Sequence, residues 1–321
     1  SILGQSTAVR LLQSDLIRNR LAPAYLLVGS DGVGKRSAAV ELVKAVHCDH
    51  LLDGPCDQCV SCRGVMRGVH PDVHILMPQG TSATISIDEV RWILERVALR
   101  PFVGSRSMVI VDGAHRLTNE AANSLLKVLE EPPGQTTFLL ITSQAAQCLP
   151  TIRSRCRIVR FQRLDPGMIE EALVAVHQQD GSLARVVSRI AQGSLSKALA
   201  LCSQWPRDQA IHEHLAAGEA RSWMTWSMPK ERDLLARWLE ASIEWLRDVA
   251  VASADAPSLI HHVERRVAIE GQARAFNRDR CIETTFRLME LKRSFEEQMI
   301  SPRLVGTMLR ESWLNLLEGR S

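Results

Sequence analysis

Residues 25–37 read YLLVGSDGVGKRS. A short apolar run, Tyr25–Val28, predicts a strand; it enters a glycine loop, and a helical pattern over Ser37–Val46 leaves it. In that strand–loop–helix setting, Gly29-x-x-x-x-Gly34-Lys35 has the spacing of a phosphate-binding loop. Gly29, Gly32 and Gly34 let backbone N–H groups converge on phosphate oxygens, the helix N-terminus adds positive potential, and Lys35 supplies a point charge. The next position in such a loop carries a hydroxyl that holds Mg²⁺, but here it is Arg36, and a serine follows only at Ser37. One residue turns a side chain by about 100° around a helix, so Ser37 points away from where the metal would sit. The loop predicts a nucleotide pocket and argues against metal-assisted hydrolysis inside it.

Outward from the loop, the first half keeps alternating strand and helix. Val73–Met77 reads as a strand, and Ile87–Leu99 as a helix capped by Ser86. Met108–Val111 is an apolar run ending at Asp112, and Thr118 caps a helix that Pro132-Pro133 stops after Glu131. Phe138–Ile141 and Ile158–Phe161 complete the strands. Such alternation predicts an α/β core, a mainly parallel sheet covered by helices on both faces. An apolar strand ending in Asp should be followed by a carboxylate that orients the attacking water. Gly113 stands there instead and can do neither job. After Phe161 the strand signals stop. Residues 164–202 read as a small helical unit with Gly193 as a corner, and a second helical block starts near 208. In it Trp238, Trp245, Phe286, Phe295 and Trp313 are expected in the core, with a turn at Asp255–Pro257.

Of eight cysteines, Cys48, Cys56, Cys59 and Cys62 fall within fifteen residues, in CDHLLDGPCDQCVSC. Two residues between thiolates let a tight turn aim both sulfurs at one ion, so the spacing predicts a closed, structural, four-thiolate zinc site. Disulfides are disfavoured in a chain without a secretion signal. His47 and His50 are alternative ligands, expected rather to face solvent. Cys148, Cys156, Cys202 and Cys281 have no metal spacing and read as small buried hydrophobes.

Composition bounds the class. At about 150 residues per domain, 321 residues suggest two domains. With 45% apolar and 23% charged residues the chain is no disordered protein, and 4% aromatics leave the core to aliphatic side chains. No apolar run reaches about 18 residues, and the first residues lack a signal-peptide pattern, so neither secretion nor a membrane span is expected. The net charge of +3 divides into +5 over residues 1–163 and −2 over 164–321, which permits nucleic-acid contact without demonstrating it.

Four stretches together resemble the delta-prime branch of the AAA+ clamp-loader family of bacterial DNA polymerase III. They are GVGKRS at 32–37, the cysteine insert at 48–62, NSLLKVLEEPP at 123–133 and TIRSRC at 151–156, with GSLSKAL at 193–199 in the second half. The resemblance implies an AAA+ core over 1–163 with a zinc module at 48–62, a helical lid over 164–207, and a helical collar over 208–321 that joins five subunits in a ring. It implies that Arg155 is an arginine finger presented to a neighbour's γ-phosphate, and that Thr142 occupies a sensor position in a degenerate pocket with Lys35, Ser37 and Asp112. The motor subunits of such loaders (gamma/tau) carry a lysine–threonine loop, an Asp-Glu pair and a G-S-L-R lid motif. This chain has Lys35-Arg36, Asp112-Gly113 and Gly193-Ser-Leu-Ser196, departing at all three. The implied role is a largely non-hydrolysing stator within an ATPase assembly of the polymerase holoenzyme. Its partners would be delta and gamma/tau subunits, a sliding clamp and primer–template DNA, in the bacterial cytoplasm and away from membranes. A gamma/tau-like ATPase that still hydrolyses ATP is the alternative, and a AAA+ protein of DNA repair a more distant one.

Overall fold

The computed structural model describes residues 2–52, 54–78, 84–229, 231–254, 256–297 and 300–318. The apolar runs of the first half form one sheet of β1 (Ala24–Val28), β2 (Val73–Leu76), β3 (Ser107–Asp112), β4 (Thr136–Thr142) and β5 (Arg157–Arg160). Its order is β2-β3-β4-β1-β5, and every pairing is parallel. Successive strand residues face opposite sides, and the core divides accordingly. Ala24, Leu26, Val109, Val111, Phe138 and Leu140 pack into one apolar cluster, whereas Tyr25, Leu27, Met108, Ile110, Leu139 and Ile141 pack into the other.

Helices α1 (Ser6–Ile17), α2 (Lys35–His47) and α3 (Val60–Met66) supply residues to the second cluster; α4 (Ile87–Val97), α5 (Asn119–Glu130) and α6 (Pro150–Arg155) supply the first. Near-continuous apolar strands are what a parallel sheet buried on both sides requires. The caps are local and readable. Ser86 and Glu89 close a reciprocal capping box on α4, and Thr118 Oγ1 accepts from Ala121 N at 3.2 Å on α5, each cap contributing about 1 kcal/mol. This is the α/β P-loop core that the AAA+ resemblance implies.

The chain divides into two compact units, Ser1–Ile169 with Gly193–Ser196, and Glu170–Gln192 with Lys197–Ser321. Within the first, the segment 193–196 lies on the phosphate loop. Leu164 N donates to Gly193 O at 3.0 Å and Leu195 N donates to Gly32 O at 3.1 Å. A Cβ on Gly32, where φ is +73°, would clash with the hydroxyls of Ser194 and Ser196. Only glycine fits under that segment.

The second half is helical: α7 (Pro166–Ala175), α8 (Gly181–Ile190), α9 (Leu195–Ala217), α10 (Ala220–Met224), α11 (Arg232–Ala252), α12 (Arg266–Ala275), α13 (Arg278–Glu296) and α14 (Pro302–Glu318). Helix α9 runs without interruption through position 207, where the sequence suggested a division. A tryptophan cluster fills the second unit's core; Trp223 stacks on Trp313 with centroids 5.1 Å apart and meets Trp226 and Trp238 at 5.5 and 5.7 Å. Trp238, Trp245, Phe295 and Trp313 are buried as expected, but Phe286 is 64% exposed. It lies two residues before buried Leu288 on α13, roughly 200° around the helix, so it faces away from the seam. Of the turn expected at 255–257, Asp255 lies outside the described residues, and Pro257 opens a short 3-10 turn, Pro257–Leu259. His212 is 6% exposed, with its ring 4.9 Å from that of His262, and burial pushes its pKa down to about 3. No described helix is long and apolar enough to cross a membrane.

Candidate functional site

The parallel strands bring the pocket residues to one edge of the sheet. Val28, from which the phosphate loop departs, is in register with Thr142, and Asp112 with Ile141. Gly29 N donates to Thr142 O at 3.3 Å, tying the loop to the end of β4. Lys35 is 5% exposed; its Nζ donates to Gly29 O and Ser30 O at 2.6 Å each and lies 3.7 Å from Asp31 Oδ1. Burial draws its pKa below the usual value, against the pull of Asp31 and Asp112. Thr142 Oγ1 accepts from Gln144 N at 3.0 Å and meets His115 Nδ1 at 3.1 Å. Burial depresses the His115 pKa as well, with Arg116 adding to the effect. His115 had no marker in the sequence beyond its place after Gly113.

Two features oppose magnesium chemistry here. Arg36 Nη1 lies 3.4 Å from Asp112 Oδ2, so a guanidinium faces the carboxylate that would help hold the ion. Ser37 is exposed on the turn beside it. The donor set offers a second cation where Mg²⁺ needs oxygens, and the residues do not fit the ion. Gly113 adds a backbone obstacle, with φ +95° and ψ +47°. A Cβ there would come 3.2 Å from Pro78 Cγ, so a glutamate at this position would be strained.

Arg155 sits at the opposite edge. It ends α6 two residues before Arg157, which is in register with Tyr25, whereas Gly29 lies just beyond Val28. Arg157, where β5 begins, lies four strand steps below the level of Gly29, about 13 Å at roughly 3.3 Å per residue, and Arg155 precedes it in α6. A single arginine side chain does not span that distance, so Arg155 cannot reach its own phosphate loop. Its guanidinium pairs with Glu130 of α5, and Nη1 donates to Thr151 O at 3.0 Å. Glu130 lies in the NSLLKVLEEPP stretch, yet its contact depends on packing between α5 and α6 and had no sequence signal.

The four-cysteine cluster assembles as the spacing predicts. The Sγ atoms of Cys48, Cys56, Cys59 and Cys62 lie within 4.8 Å of one another. Backbone N–H groups of Cys56, Cys59 and Cys62 each donate to the preceding cysteine sulfur at 3.3 Å. Such N–H···S bonds stabilise thiolates, and the Cys56 thiol is drawn down to about 6, chiefly by the N–H of Gln58 and then of Cys59. Four convergent soft donors fit a closed tetrahedral ion such as zinc. Lys44, buried on α2, reaches the loop at Asp57 Oδ1 (2.5 Å), which steadies a residue at φ +58°. Sequence patterning gave no hint of that clamp.

His47 faces inward rather than toward solvent, contrary to expectation; it is 7% exposed and its ring packs at a tilt, 4.4 Å from that of His70, while His50 is exposed. The reason is tertiary, because His70 and Asp72 arrive from beyond the cysteine insert. His47, His70 and Asp72 offer metal-ligand atoms within 4.8 Å of each other. The Asp72 carboxylate, however, already accepts from the N–H groups of Phe102, Val103 and Gly104. His70 Nδ1 accepts from Asp72 N at 3.2 Å, which leaves its ring proton on Nε2. That tautomer cannot ligate through Nε2, and the Nε2 atoms of His47 and His70 are buried with no hydrogen-bond partner among the described residues. Cys148, Cys156, Cys202 and Cys281 are buried as expected.

The sequence profile of a family described as DNA polymerase III, delta subunit, matches residues 4–165. The delta-prime subunit of DNA polymerase III from Bacillus subtilis (strain 168) is 37% identical over 188 residues, covering 58% of this chain and 56% of that protein. The tau subunit of the same strain is 34% identical over 210 residues, covering 63% of this chain and 37% of that protein. The chain thus spans about half the length of the first relative and about a third of the second. A crystal structure of a gamma-subunit-related DNA polymerase III protein from Thermotoga maritima aligns over 98% of this chain and 99% of that one, at 17% identity and a TM-score of 0.48. With the profile covering half of its residues, this chain belongs to the DNA polymerase III delta-subunit family, within the clamp-loader proteins.

Proposed function

We propose that the chain is a delta-prime-type clamp-loader subunit that turns over little or no ATP itself and supplies Arg155 to a neighbouring gamma/tau-type ATPase site. The observation that carries this reading is the separation of two edges of one sheet. The phosphate loop, Asp112 and Thr142 gather at one edge, and Arg155 emerges at the other, too far to serve its own loop. Any phosphate that Arg155 meets belongs to another molecule. A guanidinium delivered across an interface stabilises charge that develops during phosphoryl transfer, worth ~10³–10⁵ in rate in other nucleotide hydrolases.

The own pocket lacks the hydroxyl after Lys35 and the carboxylate after Asp112, and Arg36 stands against the metal. Its remaining residues (Gly29, Gly32, Gly34, Lys35, Ser37, Asp112 and Thr142) would cradle a nucleotide without hydrolysing it. A structural zinc on Cys48, Cys56, Cys59 and Cys62 would staple the insert between α2 and α3. The helical lid at 164–207 and collar at 208–321 would join the subunit to delta and gamma/tau partners in a five-membered ring. That ring would place a sliding clamp on primer–template DNA in the bacterial cytoplasm.

An intact Gly29–Lys35 loop favours one second reading, a gamma/tau-like ATPase. Purified chain separates the two. The stator reading expects no steady ATP turnover by the chain alone and a fall in turnover of the reconstituted complex on Arg155→Ala. Turnover by the chain alone that Lys35→Ala abolishes would establish the second reading. Elemental analysis should return one zinc per chain, and zinc-free protein with four titratable thiols would remove the metal assignment.

A further inference from the structure

The cysteines, the pocket and the finger leave the end of α5 unused, and it lies against Arg155. Glu130 is the last residue of α5, just before Glu131 and the two prolines that stop the helix. Its Oε1 takes both the Nε–H and an Nη2–H of Arg155. Thr151 O, one turn back on α6, takes an Nη1–H at 3.0 Å. A guanidinium carries five N–H donors in one plane. Three are engaged by these contacts, leaving one N–H on each of the two terminal nitrogens that border the outer edge of the fork. That edge is the one that grips a phosphate in bidentate fashion.

The pair adds little to stability, because the Arg155 and Glu130 side chains are 30% and 50% exposed and water screens them. Its consequence is orientation. Two elements, α5 through Glu130 and the first turn of α6 through Thr151, fix the guanidinium plane before any phosphate arrives. A long side chain that is already oriented loses less freedom on contact. We infer that Glu130 is the positioning residue of Arg155: its carboxylate holds the side edge of the guanidinium so that the terminal fork faces outward to a neighbouring subunit's phosphate. The inference rests on the reading of Arg155 as a finger acting in trans.

The test uses the full chain assembled with delta and gamma/tau partner subunits, comparing wild type, Arg155→Ala, Glu130→Ala, Glu130→Gln and the double variant Glu130→Ala/Arg155→Ala. Glu130→Ala is expected to lower kcat for ATP about 10-fold, a loss of the size seen when supporting partners of functional groups are removed, with KM within twofold and the melting temperature unchanged. Glu130→Gln should recover part of that loss, since its amide oxygen still accepts from Nε and Nη2. The double variant should be no slower than Arg155→Ala, because Glu130 acts only through the guanidinium. Wild-type kcat in Glu130→Ala, alongside a loss in Arg155→Ala, would overturn the positioning role and leave the finger standing. A double variant slower than Arg155→Ala would also overturn it. Unchanged turnover in Arg155→Ala would overturn the finger itself, and the inference with it.

Discussion

The two edges of the sheet have been treated differently. At the edge where the strands end, the loop keeps its glycines and Lys35, yet the positions that would handle metal and water hold Arg36 and Gly113. At the edge where β5 begins, Arg155 pairs with Glu130 and donates to Thr151 O. The loop's shape is maintained by packing, for Gly32 sits beneath Ser194 and Ser196 and Lys35 bonds to its own loop carbonyls. A fold can retain that shape after the chemistry is gone, because the shape also closes the core.

Breaking the comparison is most direct in the assembled complex. Arg155→Ala should lower turnover at the neighbour's site by about 10²-fold or more, while Lys35→Ala should stay within twofold of wild type. Equal losses in steady-state ATPase assays would erase the distinction between the edges.

A smaller effect concerns the metal. Fluorescent nucleotide binding to the purified chain should be insensitive to replacing Mg²⁺ by EDTA, because Arg36 already faces Asp112. Arg36→Thr should then acquire a Mg²⁺ dependence of about 10-fold, the equivalent of about 1.4 kcal/mol. A wild-type affinity that drops tenfold in EDTA would show the carboxylate free to hold the ion.

The smallest effect tests the second unit, away from both edges. His212 has a folded pKa of about 3, against about 6.5 in an unfolded chain. Between those values only the unfolded chain binds the proton, so this group's stabilisation is full above about pH 6.5 and declines as pH falls toward 3. Between pH 7 and 5.5 it should cost about 1 kcal/mol. Chemical denaturation of His212→Leu should show a shallower pH slope over that window. A slope identical to wild type would mean that His212 is not the buried neutral base.

Much of this was readable in one dimension. The strands, the helix caps at Ser86 and Thr118, the cysteine cluster and the residues that follow Lys35 and Asp112 are local patterns. Strand alternation, capping and ligand spacing act over a few residues, so neighbouring letters suffice to read them. What went unread is non-local: His47 turned inward because His70 and Asp72 pack over it, Lys44 clamps Asp57, and Glu130 meets Arg155 from another helix. Phe286 misled for a related reason, since its apolar character says nothing about which side of α13 faces the seam.

The order of residues alone specified which chemistry is present and which is missing, because a side chain's functional groups are set by its identity. Where those groups point was left to packing. The parallel register of β1 and β5 put Lys35 and Arg155 at opposite ends of the strands, and the approach of α5 to α6 gave Arg155 its partner. Both depend on contacts between segments far apart in the chain, and only a closed core brings such segments together.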